Sequence, residues 1–205
     1  LAQLVLEEKV GTLSGDRVIL RDPSATRTVA GAAVIDPFGP PRNRRSDRRL
    51  AELAALAEPD DAVLAKLLRL DAAFVELDRF GLSRNLRPVD VDALLEAAGG
   101  VRLEGYGLLA DTREEARRDI VDTLKAHHEE KPDAPGLQPE RLRLTMKKRW
   151  PPALFRLLLD QEVKARKVTV DGAFLRLPGH SLKLGARDED PVSYTHLRAH
   201  ETRED

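Results

Sequence analysis

The chain has 205 residues, 34 basic against 35 acidic, a net charge of −1, 41% hydrophobic and 4% aromatic residues, and no cysteine. This composition excludes a whole-molecule field that draws nucleic acid, disulfides, thiolate metal sites and an aromatic-lined pocket, and leaves small cores of Leu, Val and Ala. No apolar run approaches the roughly 18 residues of a membrane span, and no signal-peptide pattern opens the sequence, so a cytoplasmic protein is expected.

The first 38 residues read as β. Positions 1–6 alternate, 16–21 (DRVILR) follow a Ser-Gly turn, and 28–35 (TVAGAAVI) follow the loop 22–27, giving three short strands joined by turn chemistry. Three strands with free edges are rarely stable alone, so they are expected to complete a barrel. The sequence opens at Leu1 inside this strand pattern, which reads as a piece of a longer protein. Residues 36–49, DPFGPPRNRRSDRR, then break the pattern with Pro37, Gly39, Pro40 and Pro41. Arg42, Arg44, Arg45, Arg48 and Arg49 follow, so this is a stiff linker with the strongest basic patch of the chain. Two readings of the patch stand: contact with RNA phosphates, or the solvated start of a helix over 47–56.

A three-helix-plus-wing unit is expected from Asp60. Asp60 or Asp61 caps a helix with Val63, Leu64, Leu67 and Leu68 on one face, and a second helix carries Leu70, Phe74, Leu77 and Phe80 and stops at Gly81. A third starts at Pro88, places Val91, Leu94, Leu95 and Ala98 on one face, and ends at Gly99-Gly100. Segments 101–104 and 107–110 then flank Gly105-Tyr106 as a wing. A second unit follows in the same order. Thr112 and Glu115 form a capping box, and Ala116, Ile120, Val121, Leu124 and His128 form a buried stripe. Residues 139–143 make a short helix, and Pro151-Pro152 starts another with Leu154, Phe155 and Leu158 inward. Val168 and Val170 lead through an Asp171-Gly172 hairpin turn to a return strand over 173–177. The fold class is therefore α+β: a partial β-barrel hairpin (1–38), a linker with a connecting helix (39–59), two tandem winged helices (60–110 and 111–190), and a tail (191–205).

A winged helix that reads DNA needs cations and amides on its third helix. Residues 88–98 carry Asp90, Asp92 and Glu96 and no basic residue, and 151–161 have only Arg156, beside Asp160. This argues against a tandem winged-helix DNA-binding transcriptional regulator, which stands as the alternative, with a protein-interaction scaffold as a third reading. Arg141, Arg143, Lys147, Lys148 and Arg149 before the helix, and Lys164, Arg166 and Lys167 after it, read as an RNA or ribosome contact or as a solvated face. His127, His128 and His180 evoke a metal cluster, but without cysteine or a spaced carboxylate motif, packing of His128 and His180 on the turn 132–137 is the better reading. Gly105-Tyr106-Gly107 with Ala110 lacks the βαβ setting of a dinucleotide fingerprint. Asp36-Pro37-Phe38-Gly39 imitates a GTPase motif, yet no G-x-x-x-x-G-K-[ST] is present and no Ser/His/Asp constellation stands out. No catalytic, cofactor-binding or metal residue is assigned, and the chain itself is expected not to be an enzyme.

Two stretches resemble known families. RVILRDPSATRTVAGAAVI resembles the last hairpin in the third domain of the aminoacyl-tRNA-delivering elongation factors, with a longer loop between the arginines than in the shortest versions. HHEEKPDAPGLQPERLR, with RLPGHSLKL, resembles the second winged-helix repeat of the bacterial selenocysteine-specific elongation factors. The resemblance spans roughly residues 1–190 and implies a fragment of a monomeric factor that delivers selenocysteyl-tRNA to the ribosome at recoded UGA codons. It further implies that GTP and Mg²⁺ belong to a nucleotide domain of the parent, so that this piece needs no cofactor. Further winged helices would hold the recoding mRNA hairpin, and this piece would be a spacer. It carries over Arg21 and Arg27 as tRNA-backbone contacts, which by themselves read as ordinary surface arginines, and leaves Arg42, Arg44 and Arg45 as possible RNA contacts. The ending PVSYTHLRAHETRED resembles a translated sequencing-adaptor tail, so His196 and His200 are read as non-native despite their i, i+4 spacing.

Overall fold

The computed structural model describes residues 1–8, 10–70 and 74–180. Contacts divide the chain into two compact units, Leu1–Arg118 with Trp150–Leu158, and Asp119–Arg149 with the residues from Leu159 on. The last residues of RLPGHSLKL (181–184), the end of the second module to 190 and the tail with His196 and His200 lie outside the described residues.

The first unit opens with an antiparallel hairpin of β1 (Arg17–Arg21) and β2 (Thr28–Ala33). Arg17 pairs with Ala33, Ile19 with Gly31 and Arg21 with Thr28, and a register shift between Leu20 and Arg21 leaves Val29 as a bulge. Because side chains alternate across a strand, Val18 and Leu20 are half-buried while Arg17, Ile19 and Arg21 face solvent. The expected strand at 1–6 is not formed: Leu1, Leu4, Val5 and Leu6 are exposed and outside any ladder. Alternation is not sufficient for a strand when no neighbour accepts its backbone hydrogen bonds. Three expected strands are thus two, and no closed barrel is built by the described residues.

Helix α1 (Asp47–Leu56) starts where Ser46 Oγ accepts the Arg49 N–H at 3.2 Å. Then come α2 (Asp60–Leu68), β3 (Val75–Glu76), α3 (Leu77–Arg84), α4 (Pro88–Ala97), β4 (Gly100–Leu103) and β5 (Tyr106–Leu109), the strands in the order β3-β5-β4. This is the element order of a winged helix.

Three local expectations fail here, each for a physical reason. Asp60 and Asp61 lie in the first turn of α2 rather than at its cap, and Asp60 accepts instead from the Arg84 guanidinium. Leu70 and Phe74 do not share a helix with Leu77, because Val75 and Glu76 pair with Gly107 and Tyr106 as a short strand. Helix α3 runs through Gly81 and stops at Asn85, which takes the left-handed conformation (φ 53°). Gly81 serves packing, since a Cβ there would lie 3.0 Å from Val91 Cγ2. The core gathers Val63, Leu64 and Leu68 of α2, Leu77 and Phe80 of α3, and Val91 and Leu95 of α4. Each fully buried leucine contributes about 1.5–3 kcal/mol.

After β5 the chain enters α5 (Ala110–Glu130) directly, so Thr112 lies inside the first turn and the expected capping box is not made. Ala116, Ile120 and Leu124 are buried, and Val121 and His128 are half-buried. Then come α6 (Pro139–Thr145), α7 (Pro152–Lys164), β6 (Thr169–Asp171) and β7 (Phe174–Arg176). Leu154, Phe155 and Leu158 are buried as read from the sequence. Asp171 pairs with Phe174, so the hairpin loop is Gly172-Ala173, one residue beyond the expected turn, with Gly172 at φ +57°. Leu137 adds a bridge to Leu175, its N–H donating to the Leu175 carbonyl at 3.1 Å and accepting in return at 2.8 Å.

Candidate functional site

The site is the loop between β1 and β2, organised by one carboxylate. Asp22 Oδ2 accepts from Ser24 Oγ at 2.9 Å and Thr26 Oγ1 at 3.0 Å, and Oδ1 accepts the Arg27 N–H at 3.1 Å. The Asp22 N–H donates to the Arg27 carbonyl at 3.0 Å, which closes the loop base, and Ala25 turns through φ 55°. The Arg27 amide, then the Ser24 hydroxyl, hold the Asp22 carboxyl below its ordinary range. Arg21 and Arg27 leave the two stems of this loop, both exposed, and neither makes a side-chain hydrogen bond or ion pair among the described residues. Two solvated guanidiniums on a fixed loop are chemically suited to bidentate contact with phosphate oxygens.

The second group of sequence candidates is separated by the fold. Arg42, Arg44 and Arg45 are exposed, with Arg44 Nε donating to the Pro41 carbonyl at 3.2 Å. Arg49 of the same cluster is withdrawn: its guanidinium meets Asp36 Oδ2 at 2.5 Å and Glu52 Oε2 at 2.9 Å and is 9% exposed. Burial disfavours its charge, but the two carboxylates offset this and raise its pKa further. The GTPase-like Asp36 is thereby a salt-bridge partner.

In the second unit the rings of His128 and His180 stack. His180 Nε2 lies 2.9 Å from the Ala134 carbonyl, and His128 Nε2 accepts the Leu177 N–H at 3.3 Å, so both pack on the turn 132–137 and the start of its neighbouring strand. Burial and the neighbouring imidazole of His180 press the His128 pKa down to about 4. No group of three or more His, Asp or Glu is placed to hold a metal among the described residues. On α4, Asp90 pairs with Arg87 at 2.8 Å and Asp92 with Arg102 at 2.7 Å, so the helix's acids are locally neutralised and it still presents no cation of its own.

Sequence reasoning missed two features. Asp22 as the hub of the loop was signalled by Asp-x-Ser-x-Thr, a pattern that supports side-chain-to-backbone turns. The contact of Arg79 with Phe38 carries no local signal, since 41 residues separate them.

A short β-hairpin with paired arginines, a proline-rich linker and winged-helix units define a modular adaptor rather than an enzyme pocket. Residues 1–41 match the selenocysteine-specific elongation factor beta-barrel domain, and residues 121–177 match the winged helix of elongation factor SelB. The chain is 34% identical over 190 residues to the selenocysteine-specific elongation factor of Escherichia coli K12, covering 92% of this chain and 30% of that protein. It is 23% identical over 189 residues to that of Haemophilus influenzae, covering 92% and 30%, and 26% identical over 182 residues to that of Desulfomicrobium baculatum, covering 84% and 28%. The chain belongs to the selenocysteine-specific elongation factor family, and it spans less than a third of the length of these relatives.

Proposed function

We propose that this chain is the middle of a factor that delivers selenocysteyl-tRNA to the ribosome at recoded UGA codons in the cytoplasm. Residues 1–38 form the end of the tRNA-holding barrel, 39–59 the linker, and 60–110 and 111–190 two winged helices that bridge that body to modules holding the recoding mRNA hairpin. The whole factor acts as a GTPase with Mg²⁺, and this portion supplies no catalytic group. Tethering the loaded factor near one codon raises its local concentration there, and a spacer sets that distance. Arg21 and Arg27 grip the tRNA backbone, as shape-read RNA is held mainly through phosphates and 2′-hydroxyls, and Arg42, Arg44 and Arg45 add contacts from the linker.

The observation that carries the reading is the exposed, partner-free pair Arg21 and Arg27 on the Asp22-ordered loop, within the segment that matches the barrel domain. The test is a chimera in which the aligned 190 residues of this chain replace their counterpart in the E. coli relative. Selenocysteine insertion at a UGA reporter is the expected result. A folded chimera that leaves the reporter untranslated overturns it.

A further inference from the structure

The sequence from Asp36 to Arg45 reads as a linker, a place where two modules swing apart, and the structure contradicts this at its first three residues. Asp36 is 11% exposed, and its carboxylate bridges two parts of the chain: Oδ1 accepts the Phe38 N–H at 2.8 Å, and Oδ2 meets Arg49 of α1 at 2.5 Å. Arg49 is locked from its other side by Glu52. Phe38 is seized a second time from α3, where the Arg79 guanidinium sits 4.9 Å from its ring centroid and donates to its carbonyl. Close by, the Ser14 N–H donates to the Ser83 carbonyl at the end of α3 at 2.7 Å, and Ser14 Oγ donates to the Ile35 carbonyl at 3.1 Å. The chain leaving β2 is thus fixed to α1 and α3 before the exposed prolines and arginines begin, and those residues form a surface excursion whose length gives the hairpin no freedom.

We propose that Arg49 and Arg79 are positioning residues that clamp the exit of the β1–β2 hairpin onto the first winged helix, making the two one rigid body. A buried guanidinium–carboxylate pair is a sound latch because removing one partner leaves the other charge buried and unpaired, and the cation–π contact adds a second hold. Any displacement of the winged helix then moves Arg21 and Arg27 with it. This last consequence rests on the reading of those arginines as tRNA contacts; the clamp itself does not.

The chain has no native cysteine, so spin labels placed by A32C on exposed β2 and E96C on the exposed face of α4 report one hairpin-to-helix distance by pulsed electron resonance in the full chain. The expected result is one narrow distribution that broadens at least about twofold in R49A/R79A, while hydrogen exchange at Leu64 and Val91 stays unchanged and R49K recovers the narrow distribution. A broad distribution in the parent chain, or an unchanged width in R49A/R79A, overturns the clamp. If R49A/R79A does not fold, D36N, which removes the charge with little change of shape, is read by the same criterion. No RNA enters the experiment, so its failure and the failure of the tRNA reading are separate results.

Discussion

The imidazoles of His128 and His180 stack with centroids 3.6 Å apart and planes 12° from parallel. His128 also accepts the Leu177 N–H, and its Nδ1 is buried without a partner. Protonating it would remove the Leu177 acceptor and set a cation against His180, His127 and Arg176, the groups that face it.

The folded pKa of His128, about 4, lies below the unfolded value near 6.5. The unfolded chain therefore binds more protons between these values, and stability is full above pH 6.5 and falls as pH drops toward 4. After discounting for partial exposure, the loss is roughly 2 kcal/mol. His127, whose pKa burial also lowers, contributes in the same direction. Thermal melts from pH 7 to 4.5 will show a declining midpoint, and H128F, which cannot titrate, will flatten the decline.

Gly136 holds φ +133°, and a Cβ there would lie 2.2 Å from the Leu175 carbonyl oxygen. G136A must therefore break the Leu137–Leu175 bridge or shift the wing, at a loss of about 2–3 kcal/mol. Urea midpoints measured beside G11A, where a Cβ meets nothing within 4 Å and φ is unstrained, will separate the two: G11A stays close to the parent.

Leu64 is 1% exposed in the core of the first unit, and Leu82, on the neighbouring helix α3, is 66% exposed. L64A will lower stability by about 2–5 kcal/mol, whereas L82A will stay within about 0.5 kcal/mol of the parent. Equal effects in denaturant titration would mean that the packing of α2, α3 and α4 is misassigned.

These positions also show what is legible in the sequence. Helices α1 and α4 are readable because their starts are local: Ser46 caps one, and Pro88 takes the first turn of the other. Strand β3 is hidden because its two residues are extended only through pairing with Gly107 and Tyr106, some thirty positions away. Leu70, Phe74, Leu77 and Phe80 happen to share helical spacing, a coincidence that mimics one helix. Gly81 looks like a stop, yet its missing side chain serves Val91 on α4, a packing relation no local rule reveals. Arg21 and Arg27 stand out through resemblance, whereas the Asp22 carboxylate that fixes them follows from hydrogen-bond geometry. Arg49 looks like one more member of a basic run until Asp36 folds against it.

The central claim is that Arg21 and Arg27 hold the tRNA backbone. Its most direct test is the affinity of the E. coli chimera for selenocysteyl-tRNA across salt, with and without R21A/R27A. The account predicts weaker binding by the variant and a log–log salt slope smaller by about 1.5, from roughly 0.7–0.9 for each phosphate that the variant leaves unneutralised. Unchanged affinity and slope in a folded variant would contradict it.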